Sequence, residues 1–547
     1  MKKKIVALFL ALTCAFGVCG CSNAGTTGTS QSSQEAVSTD SESTAGGTGT
    51  FSVGLALEPS SLDPIHNYAQ DTMLCVNNLY DALLDVDADG NLQPMLAKSW
   101  EQVDDLTYVY EIRDDVCFSD GTPMTMDDVI YSLERYWKPE YAADTNWMYA
   151  SVESIEQTGD WELTVKLSQA DSSWQYVPST SAGQIVCKAY VEAQGEKYGT
   201  TEGGTLGTSA YKLDSWTAGS EIVLSRNEYY WNKDETVPFD KVVFKIITDS
   251  SSRILAANSG QVNMIAKIPS QELSQYDKNA VDVYSVTGTN VKYAAMNTQK
   301  APFDDVNFRK AVAYAVDKKA IKEALIGENG KTASTLCFDD ALYILDKDSW
   351  SSYADEIADD YSYDVEKAKE YLAKSAYPDG YDITYVCLEG ESSIAQMVQA
   401  YLAEIGINVT IIEAQASDWY AQSYGMTTDE NGFRDYNMFE FEWYSDFPDP
   451  SATMLCLLNG YNCGEGGTNS AEYSNADVDA LFEKQTASSD VKERSDALLE
   501  IAGIVNEDIP YLNFYYENNN YILSKGYSYE FSPFWLFTYR VKDVKVN

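Results

Sequence analysis

Apolar and polar side chains alternate between Leu106 and Arg113. Leu106, Tyr108, Tyr110 and Ile112 fall on one face, with Thr107, Glu111 and Arg113 on the other, the period of a half-buried β-strand. Ser119-Asp120-Gly121-Thr122-Pro123 then interrupts the pattern as a turn. Thr125 followed by Asp128 is a helix-capping signal, and Val129, Leu133 and Tyr136 continue at helical spacing. Strand and helix signals alternate in this way from Phe51 to Tyr539. They predict an opening strand over 51–57, a helix over 71–84, strands over 222–224 and 242–247 around the aromatic loop Tyr229-Tyr230-Trp231, and a helix over 250–259. The pattern is that of an α/β protein, and a body of roughly 500 residues is too large for one core, so two or three domains are expected.

The first fifty residues read differently. Lys2, Lys3 and Lys4 precede an apolar run from Ile5 to Val18, too short for a membrane span and shaped like a secretory signal peptide. Val18-Cys19-Gly20-Cys21 resembles the lipobox of bacterial lipoproteins, which implies cleavage before Cys21, a leader over 1–20 and a lipid on the Cys21 sulfur. Residues 21–50 form a Ser/Thr/Gly-rich tether without apolar periodicity, which cannot repay the entropy of folding. Such a tether reaches about 30 Å. No second long apolar run follows.

Charge and residue counts exclude several chemistries. The chain carries 38 basic and 84 acidic side chains, a net charge of −46, and loss of the leader makes it more negative still. Nucleic acid and anionic lipid surfaces are thereby excluded as partners. His66 is the single histidine, which removes multi-histidine metal cages and most Ser-His-Asp arrangements. Gly330-Lys331-Thr332 lacks the earlier glycine of a phosphate-binding loop, Leu325 standing in its place, and reads as an ordinary loop. Asp85-Val86-Asp87-Ala88-Asp89-Gly90 fits the first half of an EF-hand loop, but its twelfth position is Leu96 instead of a glutamate, and Asp89-Gly90-Asn91 equally suits a tight hairpin. Once the leader is gone and Cys21 acylated, Cys75, Cys117, Cys187, Cys337, Cys387, Cys456 and Cys463 remain, an odd number with no C-x-x-C pair.

The string from Leu96 to Arg135 closely resembles the signature of the family-5 extracellular solute-binding proteins, which capture peptides and related solutes for ABC importers. Further segments extend the resemblance in order: Gly207 to Leu213 leading to Arg226-Asn227, with Ser209-Ala210 in place of the usual Gly-Pro; Met296-Asn297-Thr298 and Pro302 to Val306 with the helix over 309–317; and Tyr363 to Ala368 through Tyr377-Pro378-Asp379-Gly380 to Ile405-Gly406-Ile407. The resemblance implies a two-lobed periplasmic-binding-protein-like fold (type II, cluster C) with an extra subdomain in the first lobe. By position, lobe I holds 51–290 plus 510–547, with the subdomain at about 72–195, and lobe II holds 291–509. A disulfide lies in dipeptide-binding relatives near the place of Cys456 and Cys463, which are close enough in sequence to close a loop.

The candidate binding strand runs through Phe439-Glu440-Phe441-Glu442-Trp443-Tyr444, whose alternation predicts a strand covered on both faces, into Ser445-Asp446-Phe447-Pro448-Asp449-Pro450. It resembles a stretch in peptide-binding relatives where the aspartate at the position of Asp446 grips the peptide's ammonium group. The backbone at the positions of Trp443, Tyr444 and Ser445 pairs there with the ligand as an added strand. A charge-assisted bond would fix direction while backbone pairing supplies sequence-tolerant affinity. Glu58-Pro59-Ser60-Ser61-Leu62-Asp63-Pro64 resembles the first-lobe loop on the ligand's other side, which makes Glu58, Ser60 and Ser61 candidates, with an ordinary proline-rich turn as the alternative.

The resemblance therefore implies a monomeric lipoprotein at the outer face of the bacterial cytoplasmic membrane, held there by its N-terminal lipid alone. It would take a peptide ligand and deliver it to an ABC permease with its ATPase subunits. No cofactor, resident metal or covalent chemistry is implied. An oligosaccharide or other small solute on the same fold is the nearest alternative; an exported hydrolase or a peptide-sensing receptor are the others.

Overall fold

The computed structural model describes residues 49–66, 69–336, 346–445, 447–533 and 539–547. The leader and tether up to residue 48, including Cys21, lie outside the described residues, as do Cys337 and Asp446.

Strand β1 (Thr50–Leu55) buries Phe51 to Leu55 without interruption because it is flanked on both edges, and a strand covered on both faces needs a continuous apolar run. A short hairpin follows, β2 (Leu84–Val86) and β3 (Leu92–Pro94), and then a separate antiparallel sheet of order β4-β5-β7-β6. Its strands are β4 (Ala97–Asp104), β5 (Thr107–Ile112), β6 (Val152–Gly159) and β7 (Glu162–Leu167). The predicted alternation is the burial pattern of β5, where Tyr108, Tyr110 and Ile112 point into a core with Tyr149 and Trp174, whereas Leu106, expected on the same face, lies in the turn before the strand and is exposed. Trp174 Nε1 donates to Tyr110 Oη at 3.1 Å, so the indole is buried without losing its hydrogen bond. The helix Met126–Trp137 packs on this core and begins with the expected capping box: Thr125 Oγ1 accepts from Asp128 N, and Asp128 Oδ2 accepts from Thr125 N at 2.9 Å.

The large sheet has twelve strands. One half is built on β1, β8 (Tyr211–Thr217), β9 (Glu221–Arg226), β10 (Lys241–Ile246), β11 (Met264–Ile265) and β12 (Val281–Thr287). The other is built on β13 (Asn290–Met296), β14 (Gly330–Thr332), β15 (Asp382–Leu388), β16 (Asn408–Ala414) and β17 (Met438–Tyr444). Strand β18 (Tyr511–Ser524) belongs to both: Tyr511 to Glu517 pair with β13 and β14, and Asn518 to Ser524 with β12 and β11. Gly330-Lys331-Thr332, expected as a loop, is instead a short strand, because its backbone pairs with Tyr515 to Glu517 of β18.

One helix differs from its sequence-based expectation, and the hairpin read at Asp85–Gly90 is formed. The helix expected over 71–84 spans only Gln70–Val76. Asn77 and Asn78 end it, Asn78 Nδ2 donating back to Leu74 O at 2.8 Å, and Ala82 instead bridges to Gln184. The Asp85–Gly90 segment is a hairpin turn: Asp87 Oδ1 accepts from Asp89 N and Asn91 N, Gly90 takes φ +85°, and the Asp85 carboxylate pairs with Arg540 at 2.9 Å. The Asp85 and Asp87 carboxylates are committed to protein partners, and no cluster of three or more candidate ligands for a metal occurs among the described residues.

Candidate functional site

The two halves of the sheet face one another across a cavity of about 480 Å³. Its walls have different chemistry. The β13–β17 half contributes rings: Trp419 and Tyr420 from the helix Ala416–Ser423, and Phe441, Trp443 and Tyr444 from β17. Trp419 stacks at a 30° tilt on Phe441, centroids 4.5 Å apart, and its Nε1 donates to Glu440 O at 3.1 Å. The β1–β12 half contributes charge: Asp71 at the start of the helix Gln70–Val76, Arg253 in the helix Ser250–Asn258, Lys267 just after β11, and Glu272. A second space of about 530 Å³ shares Lys267, Glu442 and Tyr444 with the first and reaches Lys292, Glu440 and Glu517.

Strand β17 carries the predicted alternation. On one face Phe439 and Phe441 join the aromatic core. On the other, Glu440 is buried against Lys292 Nζ at 3.0 Å and accepts from Tyr385 Oη at 2.9 Å. Burial alone would pull the Lys292 ammonium down, but Glu440 and Glu442 outweigh it and hold that group above the usual lysine range. Burial pushes the Glu517 carboxyl up, Ser270 partly offsetting this by donating at 2.7 Å and the Glu442 charge adding to it. Asp71 is likewise raised by burial, partly offset by the backbone N–H groups of Leu57, at 2.6 Å, and Ala56.

Trp443 and Tyr444 line the cavity, paired through β17 with Val291 and Asn290 of β13. Strand β15 pairs with β17 only at Met438 and Phe439, so the second edge of Phe441 to Tyr444 meets no strand among the described residues. Ser445 is buried beside them: its Oγ is 2.6 Å from Thr453 Oγ1, its N–H donates to Thr289 O, and its carbonyl accepts from Thr289 Oγ1. Asp446 lies outside the described residues. The structure brings none of Glu58, Ser60 and Ser61 to the cavity; Ala56 and Leu57 hold that wall. Glu58 instead accepts from Trp216 Nε1 at 2.9 Å and from Gly219 N at 3.0 Å, and Ser60 is exposed. Ser61 Oγ accepts from Asp63 N at 3.0 Å, while Asp63 is held by both Arg135 Nη atoms at 3.0 and 2.6 Å.

No disulfide joins Cys456 and Cys463, so the bridge implied by the family resemblance is not formed. Cys463 Sγ donates to Tyr473 O at 3.3 Å, and burial with the nearby Glu472 charge pushes the thiol up to about 12, away from the thiolate that disulfide chemistry requires.

Asp71, Arg253, Lys267, Trp419 and Tyr420 carry no signal in the sequence, since they come from four separate segments with no shared motif. Asp449 is distinguished in the sequence only by the prolines on either side of it. It is fully buried, accepts from Ser451 N and Oγ at 2.9 and 2.6 Å, and pairs with Arg494 at 2.6 Å, which fixes the loop that leaves β17.

A two-lobed α/β protein with a mixed cavity between its sheet halves is a binding protein by architecture. The chain belongs to the bacterial extracellular solute-binding proteins, family 5, whose model matches residues 91–464. These are the solute-binding components of ABC importers and are not enzymes. Among relatives, Heme-binding protein A of Haemophilus influenzae is 27% identical over 450 residues, covering 77% of this chain and 78% of the relative. Glutathione-binding protein GsiB of Escherichia coli O6:K15:H31 is 23% identical over 484 residues, covering 87% and 90%. The periplasmic binding protein DppA of Helicobacter pylori, solved with the peptide STSA, superposes with a TM-score of 0.76 at 22% identity, covering 91% of this chain and 98% of that one. Among the described residues no helix is long and apolar enough to cross a membrane.

Proposed function

We propose that the chain is a lipid-tethered substrate-binding protein that captures short peptides and hands them to an ABC permease. The observation that carries this reading is the open edge of β17. Phe441 to Tyr444 have β13 on one side, no strand among the described residues on the other, and the cavity beside them. An extended peptide can add there as a strand, its backbone supplying affinity that tolerates sequence variation while rings receive its side chains. Asp446 would receive the peptide's ammonium group, and Cys21 the lipid. Strand pairing supports the division into lobe I, 51–290 plus 510–547, and lobe II, 291–509, since the strands of each half fall within one residue of those limits apart from the shared β18.

Ligand bound between the lobes favours the closed state only through contacts that the open state lacks. Thermal shift of the full chain tests the reading, because a ligand that binds only the folded state raises the melting temperature. Peptides of about two to eight residues with free amines are expected to stabilise it, N-acetylated ones to do so less, and Asp446→Asn to abolish the difference. Stabilisation by oligosaccharides alone would keep the importer role and overturn the peptide.

A further inference from the structure

The second cavity, of about 530 Å³, is built around an imbalance of charge. On the middle strand β13, Lys292 stands across from Glu442 of β17 on one side and Tyr515 of β18 on the other. Three carboxylates gather round that one ammonium. Glu440 binds it at 3.0 Å, and Glu442 and Glu517 share its field from the two neighbouring strands. Lys267, also in this wall, gives its charge to Asp71 of the first cavity and lies 5.5 Å from the Tyr444 ring, while Glu391 adds a further acid, exposed at the rim. Like charges held together away from bulk water raise one another's energy, and a cation between them lowers it. Glu517 registers this: burial pushes its carboxyl up and, against the Ser270 donor, so does the Glu442 charge.

A neutral side chain beside the acids points to the same missing partner. Asn520 is 1% exposed; its Nδ2 donates to Ile268 O at 3.2 Å and to Ser270 Oγ at 3.3 Å, and its Oδ1 meets no donor among the described residues. Asn290 Oδ1 and Asn519 Nδ2 also lack partners there, but they lie together beside Gly288 with opposite polarity. What remains open in this wall is therefore an acceptor, in the company of carboxylates.

We infer that the second cavity receives a cationic side chain of the ligand, a guanidinium or an ε-ammonium, on Glu442 and Glu517, while Glu440 keeps Lys292 aside. The substrate class is then peptides that carry arginine or lysine. This rests on the peptide reading above and concerns a side chain, not the terminal ammonium given to Asp446.

Calorimetric titration of the full chain with alanine tripeptides tests it, each carrying arginine at the first, second or third position, against the same set with citrulline, which keeps the shape and loses the charge. At one position or more, arginine is expected to bind about tenfold tighter, the value of a charge-assisted contact. Glu442→Gln and Glu517→Gln should each shrink that ratio about threefold, and together erase it, with citrulline affinity unmoved. Circular dichroism melting checks folding, and the single variant Glu517→Gln, which keeps an acceptor for Ser270, decides if the double variant does not fold. Equal affinity for arginine and citrulline at every position would overturn the inference and leave the peptide reading standing. So would a ratio that survives in the variants, or a loss shared equally by both peptide sets, which would give these carboxylates to the common backbone. If no tripeptide of either set binds, both readings fall.

Discussion

At the scale of single residues, the site's supports are buried charges whose partners lie far off in sequence. Arg494 holds Asp449 below the β17 loop, both fully enclosed. Removing one partner strands the other in a medium that solvates it poorly. Arg494→Met is therefore expected to lower stability by about 3 kcal/mol in urea unfolding. Glu517 offers a test through pH. Its carboxyl is raised by burial, so in the window between the ordinary glutamate value and the raised one the folded chain holds a proton that the unfolded chain releases. Stability from this group therefore falls as pH rises through that window and stays lower above it. Glu517→Gln keeps an acceptor for Ser270 and cannot ionise. It should melt higher than wild type at neutral pH, and the gain should vanish in acid below the window; a gain independent of pH would place the effect in packing.

At the scale of elements, legibility follows locality. The capping box at Thr125 and Asp128 involves residues three apart, and the alternation in β5 and β17 is written in consecutive side chains, so each is legible in the sequence alone. Thr125→Ala should cost about 1 kcal/mol, measured by denaturant midpoint, through loss of a satisfied helix N–H. The helix at Gln70 is shorter than its apolar spacing predicts because that spacing continues past Asn77-Asn78, where side-chain bonds to the backbone compete with the helix. The loop from Glu58 to Pro64 is expected toward the ligand, yet Glu58 turns to Trp216 and Gly219 and Asp63 to Arg135. Nothing near these acids in sequence names partners more than seventy positions away. The cations of the cavity are illegible for the same reason: Lys267 and Arg253 are brought beside Asp71 only in space.

At the scale of the whole molecule, the halves meet outside the cavity as well. Tyr176, from the segment after β7, stacks on Phe447 with centroids 5.8 Å apart and planes 12° from parallel. A contact of this kind, present when the halves are together and lost when they part, contributes to ligand affinity without touching ligand. Tyr176→Ala removes about 1 kcal/mol of ring contact. It should raise the Kd of a bound peptide about fivefold, seen by calorimetry, with the cavity walls unaltered. An unchanged Kd would mean that the ring pair forms in ligand-free and ligand-bound protein alike.

Strand β18 carries a consequence for the order of events in the life of the chain. Among the described residues strand β12 pairs with it alone, and β11 and β13 each lean on it from opposite halves. None of those ladders can close until residues 511–524 have left the ribosome, about 95% of the way along a 547-residue chain. Neither half can finish folding behind the other, and a polypeptide still in the course of synthesis stays open along its central seam. That delay would suit export in an unfolded state, as in a family of extracellular proteins, since a chain that folds early and stably cannot be threaded.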